Sequence, residues 1–317
     1  MKNFDVNNKI QLSLAVLTTL AASGWRSHAD TINPLSEWSI ITSGNLANVS
    51  DFYGNAYVGG SLTVQNSFNA AINDTDVMPA GNVSLAVAGN ITTQNPSQVN
   101  AGNVVVGGTI SGQINVNGGG TITQGNSSAL PSSPVAQVAN ASQSWSTQAA
   151  NSTASTSPNS PLVFNCSSTA SLAVFNISAS TLFAQNQQLD LVLAAATKQV
   201  LINVSGFGAV SQNSSQNFEG DFVKSASSVV FNFYQASSVT FTGEAYGYMV
   251  APEATVSSGS PIVGGVMAET LDTTSEVEMR GTPDYIAPSV PETGAAGPLL
   301  GLALAGLAVI RRRCGRR

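Results

Sequence analysis

A unit made of a short strand, a glycine-containing corner and a second short strand recurs in the first half of the sequence. Its copies begin at Gly54, Gly81 and Gly102, so successive starts are 27 and 21 residues apart. Apolar and small polar residues alternate within each copy, which is typical of strands with one buried face. A unit this short buries its apolar face only by stacking on its neighbours, which favours a mainly β fold, the β-solenoid. A β-sandwich built from hairpins is the alternative.

Glycine and asparagine occupy the corners between these strands, as at Gly59-Gly60, Gly89-Asn90 and Gly107-Gly108. Both residue types tolerate a positive φ at low cost. We therefore expect the corners to use left-handed backbone.

Strand-like runs resume after residue 161, and we expect them to complete the same solenoid. These runs are short and rich in β-branched or aromatic residues, and turn residues bound each of them. They are Leu172–Ile177, Leu189–Ala195, Val200–Val204, Val229–Tyr234, Val239–Thr242, Gly247–Val256 and Ile262–Ala268.

One amphipathic helix is predicted between the two sets of strands, from about Pro134 to Ala150. Ser133 is the predicted N-cap and Pro134 the first helical residue. Val138 and Trp145 fall on the same side of this helix. We expect the helix to pack alongside the solenoid and to bury Trp145 in a core role.

The first 29 residues have the pattern of a secretory signal peptide. Two lysines precede an apolar run over residues 10–22, and small residues stand before the predicted cleavage between Ala29 and Asp30. The main domain is then expected over residues 30–286.

Residues 287–317 change character abruptly. The motif Val290, Pro291, Glu292, Thr293, Gly294 precedes an uncharged run over residues 295–310, and five arginines stand among the last seven residues. Such a run predicts a short transmembrane helix whose arginines remain in the cytoplasm.

Removal of both ends leaves a body poor in catalytic side chains. The only histidine, His28, precedes the predicted cleavage, and Cys166 is the one cysteine that remains. Ser-His-Asp and Cys-His catalysis are thereby excluded, and no metal-ligand spacing is present. Three basic residues against sixteen carboxylates give residues 30–292 a net charge of −13, which argues against nucleic acid as a partner.

Close carboxylate pairs are the remaining route to catalysis or to a metal. Two carboxylates suffice for glycoside hydrolysis, and carboxylate oxygens bind calcium. We expect no cofactor and no catalytic residue, but these pairs leave a calcium-assisted, glycan-active enzyme as an alternative. The pairs are Asp74 with Asp76, Glu219 with Asp221, and Glu276 with Glu278.

Threonine pairs raise a further alternative, an ice-binding type of ordered-surface binder. Candidate pieces are Thr92-Thr93, Thr121-Ile122-Thr123 and Thr240-Phe241-Thr242. Alignment of threonines on successive coils would favour this function, whereas high β propensity alone also explains them.

The C-terminal motif, the apolar run and the arginines resemble the sorting tails of exosortase substrates (PEP-CTERM proteins) of Gram-negative bacteria. Thr293 stands where the usual motif has a second proline. The motif is also similar to that of Gram-positive sortase substrates, with Val290 in place of leucine. Either resemblance implies a processing enzyme, exosortase-like or sortase-like, that acts on a tail held transiently in the membrane.

Four further segments resemble the choice-of-anchor A domain of bacterial surface proteins. They are Gly54–Gly60, Val200–Gly206, Val229–Tyr234 and Val250–Ala254, and the resemblance covers most of residues 38–279. It implies an adhesin-like protein at the cell surface, at the outer membrane or in the extracellular matrix, and it supplies no active-site residues. We therefore expect a non-enzymatic protein, exported through the inner membrane, whose partner is extracellular polysaccharide or matrix.

Overall fold

The computed structural model describes residues 34–72, 82–157, 160–167, 169–185, 188–214 and 216–279. The first half of the chain consists of very short strands with a single turn of helix, α1 (Pro34–Glu37), before them. The strands are β1 (Ile40–Thr42), β2 (Leu46–Ala47), β3 (Asp51–Tyr53), β4 (Ala56–Val58), β5 (Leu62–Val64), β6 (Asn69–Ile72), β7 (Val83–Val87), β8 (Ile91–Thr93), β9 (Ser97–Val99), β10 (Asn103–Val106), β11 (Ile110–Ser111), β12 (Ile114–Val116) and β13 (Ile122–Gln124).

A longer helix, α2 (Val135–Ser146), leads to the second half, which also contains the short helices α3 (Ala179–Leu182) and α4 (Asp221–Lys224). Single 3₁₀ turns cover Ser127–Ala129 and Ala226–Ser228. The strands of this half are β14 (Thr153–Ser155), β15 (Leu162–Asn165), β16 (Leu172–Ser178), β17 (Leu189–Val192), β18 (Gln199–Ser205), β19 (Gly208–Ser211), β20 (Phe218–Gly220), β21 (Val229–Asn232), β22 (Ala236–Phe241), β23 (Ala245–Ser258), β24 (Ile262–Thr273) and β25 (Val277–Glu278).

The strands form a β-solenoid whose coils cross three faces in turn. The helix face contains β16, β18, β21, β23, β24, β1, β4, β7, β10 and β13 in stacking order. The hydroxyl face contains β19, β22, β23, β24, β2, β5, β8 and β11. The third face includes β15, β17, β20, β25, β3, β6, β9 and β12.

Successive coils pair in parallel, which confirms the predicted solenoid and excludes the β-sandwich of hairpins. Only the pairing of β14 with β15 is antiparallel among the described strands.

The two halves of the chain form one solenoid, but the second does not continue from the end of the first. Strand β1 pairs with β4 on one side and with β24 on the other. The first half therefore stacks outward from β1 to β13. The second half begins with β16 at the opposite end and stacks back until β24 meets β1.

The core consists of columns of like apolar side chains on the inner side of each face. Val58, Val87 and Val106 are in register on consecutive coils of the helix face, and each is fully buried. Alternation of side chains along each strand sends the neighbouring residues outward. Stacking thus buries what no single coil could bury alone.

Corner glycines are needed mainly because stacked coils approach closely. A Cβ on Gly60 would lie 2.5 Å from Asn45 Oδ1, and one on Gly59 would lie 2.5 Å from the Ser43 carbonyl oxygen. Neither glycine has a positive φ, nor does any residue of the corners Gly89-Asn90 and Gly107-Gly108, so the expectation of left-handed corners is wrong. Positive φ occurs instead at the repeat starts Gly54 and Gly102, where φ is +81° and +68°.

Helix α2 packs on the helix face, as predicted, but ends four residues earlier than the predicted Ala150. It also begins one residue later than predicted, at Val135, so that Pro134 and not Ser133 is the N-cap residue. Ser133 Oγ still accepts a 3.4 Å hydrogen bond from the Val135 N–H. Trp145 is only 1% exposed and belongs to a second hydrophobic cluster between the helix and the sheet. Its predicted core role is therefore confirmed.

An asparagine ladder joins α2 to the sheet. Asn176, Asn203 and Asn232 occupy equivalent positions on β16, β18 and β21. The Asn203 amide donates to the Trp145 carbonyl oxygen at 2.7 Å, and the Asn232 amide donates to that of Ser142 at 2.9 Å. Each asparagine also bonds to the next one in the ladder, which places a satisfied polar network beneath the helix.

The predicted processing sites lie outside the described residues. This applies to Ala29 and Asp30, to the motif at residues 290–294 and to the apolar run at residues 295–310. Within the described part of the chain, no helix has the length and apolar character required to cross a bilayer.

Candidate functional site

The outward side chains of the hydroxyl face form two rows that run along the solenoid. Six of the eight members of the middle row are serine or threonine, and the members are paired strand by strand. In stacking order these are Ser211, Thr240, Ser257, Asp272, Ala47, Thr63, Thr92 and Ser111. The row exists because each member follows an inward-pointing Val, Leu or Ile, and alternation along the strand then directs the member outward. All of these inward residues are buried except Ile110, which is partly buried.

The corner row lies two residues earlier along the chain, and in the first half its members stand just before their strands. Its members are Ala209, Ser238, Thr255, Thr270, Asn45, Ser61, Asn90 and Thr109. Several of these side chains are used to hold the coils together. Asn45 Oδ1 accepts the Ser61 N–H at 2.9 Å, and Asn90 Oδ1 accepts the Thr109 N–H at 2.8 Å.

Five of the six hydroxyls of the middle row are available to a ligand, whereas Ser211 Oγ donates a 3.3 Å hydrogen bond to the Gln212 carbonyl oxygen. Thr63 and Thr92 are exposed, and among the described residues none accepts a hydrogen bond from either hydroxyl. The same holds for Thr240, Ser257 and Ser111. Neighbouring members are about 4.8 Å apart and the two rows about 6.6 Å apart, as strand spacing and rise dictate. The face therefore presents a regular grid of hydroxyl and methyl groups.

The structure places the predicted threonine pieces unequally. Thr92 and Thr240 lie in the middle row, whereas Thr93 is 5% exposed and points into the core. Thr121 and Thr123 lie at the last strand of the helix face, away from both rows. Sequence analysis missed Thr63 and the serines of the row. Alignment of Leu62-Thr63 with Ile91-Thr92 and Ile110-Ser111 across the repeat would have found Thr63 and Ser111.

Charge is scarce on the hydroxyl face and concentrated elsewhere. Asp272 is the one charged member of the two rows, and its Oδ1 accepts a 2.9 Å hydrogen bond from the Asn48 amide. On the third face, burial and then the nearby Asp51 and Glu278 raise the pKa of Glu276. Like charges gathered there disfavour ionisation of that carboxyl.

The structure describes two of the three predicted carboxylate pairs, Glu219 with Asp221 and Glu276 with Glu278. Asp74 and Asp76 lie outside the described residues. Glu219 is exposed on β20, while Asp221 Oδ2 accepts the Leu193 N–H at 2.9 Å, which is a structural bond. In the part of the chain that the structure describes, no three His, Cys, Asp or Glu side chains gather in a way that could hold a metal.

Cys166 is half-buried and unpaired. Burial raises the pKa of its thiol, and the hydrogen bond to Thr197 only partly opposes this. A protonated thiol is a poor nucleophile, and Cys166 packs against the hydrophobic core, so a packing role is favoured.

Residues 31–279 match the family model described as "Putative Ice-binding-like adhesive domain". The match spans both halves of the solenoid and the intervening helix. No curated protein and no solved structure shows significant similarity to the chain.

Proposed function

Because this chain belongs to the ice-binding-like adhesive domain family, we propose that it is a non-enzymatic bacterial adhesin whose hydroxyl face attaches to an extended, neutral polysaccharide. The observation that carries this proposal is the middle row, in which five of the six hydroxyls have no acceptor among the described residues, namely those of Thr240, Ser257, Thr63, Thr92 and Ser111. Each hydroxyl is both a donor and an acceptor, so it matches the hydroxyls of a sugar chain. Individually weak contacts gain strength from repetition along the row.

The charge distribution supports a neutral partner. The body between the predicted processing points carries a net charge of −13, which would repel a polyanion such as an acidic polysaccharide or nucleic acid. The hydroxyl face itself contributes only Asp272 to its two rows. Contacts to a neutral polymer would thus require no ion pairs.

Display at the cell surface is part of the proposal. The signal-peptide pattern before Asp30 and the resemblance to exosortase or sortase tails at Val290–Gly294 support export and processing at both ends. The choice-of-anchor A resemblance supports the same location. Three of its motif segments, Gly54–Gly60, Val200–Gly206 and Val229–Tyr234, contribute strands to the helix face.

Ice is a second candidate ligand, favoured by the family description and by the alignment of Thr63 with Thr92 on consecutive coils. A grid of hydroxyls and methyls is chemically suited to ordered water as well as to sugar hydroxyls. Mixed row composition, with Ala47 and Asp272 between the threonines, favours the polysaccharide.

Retention of the full chain on insoluble cellulose, chitin and β-1,3-glucan tests the proposal, with ice-affinity partitioning measured in parallel. We expect retention on at least one neutral polymer, without release of sugar and without added calcium. The double variant Thr63→Val, Thr92→Val removes two hydroxyls at nearly constant volume, and we expect it to weaken retention about tenfold, or ~1.4 kcal/mol.

A matched control is Thr123→Val, which makes the same change on the helix face. Partitioning into ice without retention on any polymer would transfer the function to the second candidate. Release of soluble sugar that Glu276→Gln abolishes would instead identify the protein as a glycan-active enzyme.

A further inference from the structure

Phe207 is the most exposed large apolar side chain of the described residues, with 84% of its surface accessible. It stands at the corner between β18 and β19, where the hydroxyl face begins. Gly208 follows it with φ +81°, a conformation that glycine adopts without strain. This backbone holds an aromatic ring in solvent at the end of the proposed adhesive surface.

A groove of about 560 Å³ lies beside Phe207. It occupies the place where the outermost coil has helix α3 instead of a hydroxyl-face strand. Among the described strands, β19 pairs with β22 alone, and residues of β19 line the groove. Its volume falls within the ~300–1,000 Å³ typical of small-molecule sites.

The lining combines aromatic surface with uncharged polar groups. Phe183 and Phe207 contribute rings, and Ser180, Ser205, Ser211 and Gln235 contribute hydroxyls and an amide. None of the described residues that line the groove is charged. Gln235 Oε1 accepts the Gly206 N–H at 3.2 Å, and among the described residues none accepts a hydrogen bond from its amide nitrogen.

We infer that this groove is a sugar-binding subsite, in which a neutral hexose ring of a glycan packs on Phe207 and bonds to the surrounding serines and to Gln235. The negative face of an aromatic ring attracts the C–H groups that a hexose presents on one side. Serine hydroxyls and an amide match the sugar hydroxyls at its edge. The uncharged lining selects a neutral sugar.

The subsite is continuous with the hydroxyl face. Ala209 begins the corner row and Ser211 begins the middle row, and both residues also line the groove. A glycan that follows the rows along the solenoid therefore ends at Phe207. This inference rests on the proposed function. It adds a defined site at which the bound glycan ends and which also binds short, soluble glycan chains.

Calorimetric titration of the full chain with cellohexaose, chitohexaose and laminarihexaose tests the subsite, with an oligogalacturonate of the same length as acidic probe. We expect at least one neutral hexaose to bind and the acidic probe to bind at least tenfold more weakly. Phe207→Ala should weaken hexaose binding about tenfold or more, whereas Phe207→Trp should retain it.

Val223→Ala is the matched control, because Val223 is another exposed apolar residue, 39% accessible, that does not line the groove. Equal hexaose binding by Phe207→Ala and by the native chain would overturn the inference, as would the absence of binding to every neutral hexaose. If retention on an insoluble polymer persists in either case and still depends on Thr63 and Thr92, the proposed function stands without the subsite. If the native chain neither binds a hexaose nor is retained on an insoluble polymer, the subsite and the proposed function are both refuted.

Discussion

At the scale of single residues, small side chains decide how closely the coils stack. Gly60 and its counterpart Gly108 each lie against an asparagine of the preceding coil, Asn45 and Asn90. Those asparagines in turn accept backbone N–H groups of the next coil. The glycines are thus required by the asparagine bonds rather than by their own backbone conformation.

Gly60→Ala should destabilise the protein by about 1–3 kcal/mol, since the new methyl group would collide with Asn45 Oδ1 and the Gly44 backbone. The measurement is the free energy of unfolding in denaturant. Gly259→Ala is the control, because no atom lies within 4 Å of a Cβ at that position and φ is not positive. Equal effects of the two substitutions would show that close approach is not the cause.

Glu276→Gln should make stability less dependent on pH. The pKa of Glu276 is raised in the folded protein by burial and by Asp51 and Glu278, so the folded state retains a proton that the unfolded state releases. Stability therefore falls as pH rises from about 4.5, the ordinary glutamate pKa, through the folded pKa.

The amide cannot ionise, so the variant should be more stable than the native chain at pH 7 and should lack this part of the decline. Thermal unfolding of the variant and of the native chain from pH 4 to pH 8 measures this difference in stability. Glu253→Gln, at an exposed position, is the control. A variant less stable than the native chain at pH 7 would contradict the assigned repulsion.

At the scale of elements, the asparagine ladder explains how an uncharged helix docks in one position. Helix α2 contributes Val138 and Trp145 to the cluster beneath it, and apolar contact alone does not fix its register. The bonds from Asn203 and Asn232 to the carbonyls of Trp145 and Ser142 do fix it. Buried polar groups that are fully paired give specificity of this kind.

Asn232→Ala should cost about 2–3 kcal/mol, because it leaves the buried Ser142 hydroxyl and carbonyl without their partner. We expect the amides of α2 to exchange hydrogen faster while strands such as β4 and β7 keep their protection. Asn140→Ala, an exposed asparagine on the same helix, is the control. Unchanged exchange in α2 would mean that the ladder does not hold the helix.

At the scale of the whole molecule, the first and last coils meet in the middle of the solenoid. Repeats that contact only their neighbours are most stable where both neighbours are present. Amides of β1 and β24 should therefore exchange more slowly than those of β13 and β16, the outermost strands of the helix face. Slower exchange at β13 than at β1 would contradict the stacking order.

The sequence predicts the coils better than their order. Alternation and corner glycines indicate strands such as β4, β7 and β10. Each strand buries one side, and this burial alone sets the alternation of apolar and polar residues along it. Pairing of β1 with β24 joins residues more than 200 positions apart, and no local pattern records which coil lies next to which. Similarly, the middle row becomes visible only when Thr240 and Thr63 are placed on one face by that order.

The central claim is that one face of three carries adhesion, and a paired lysine substitution tests it most directly. Thr92 lies on the hydroxyl face and Gln98 on the third face of the same coil. We expect Thr92→Lys to reduce retention of the full chain on its insoluble polysaccharide at least tenfold. The Gln98→Lys variant should be retained as well as the native chain, and both variants should be folded. Equal retention of the two variants, or greater loss with Gln98→Lys, would contradict the account.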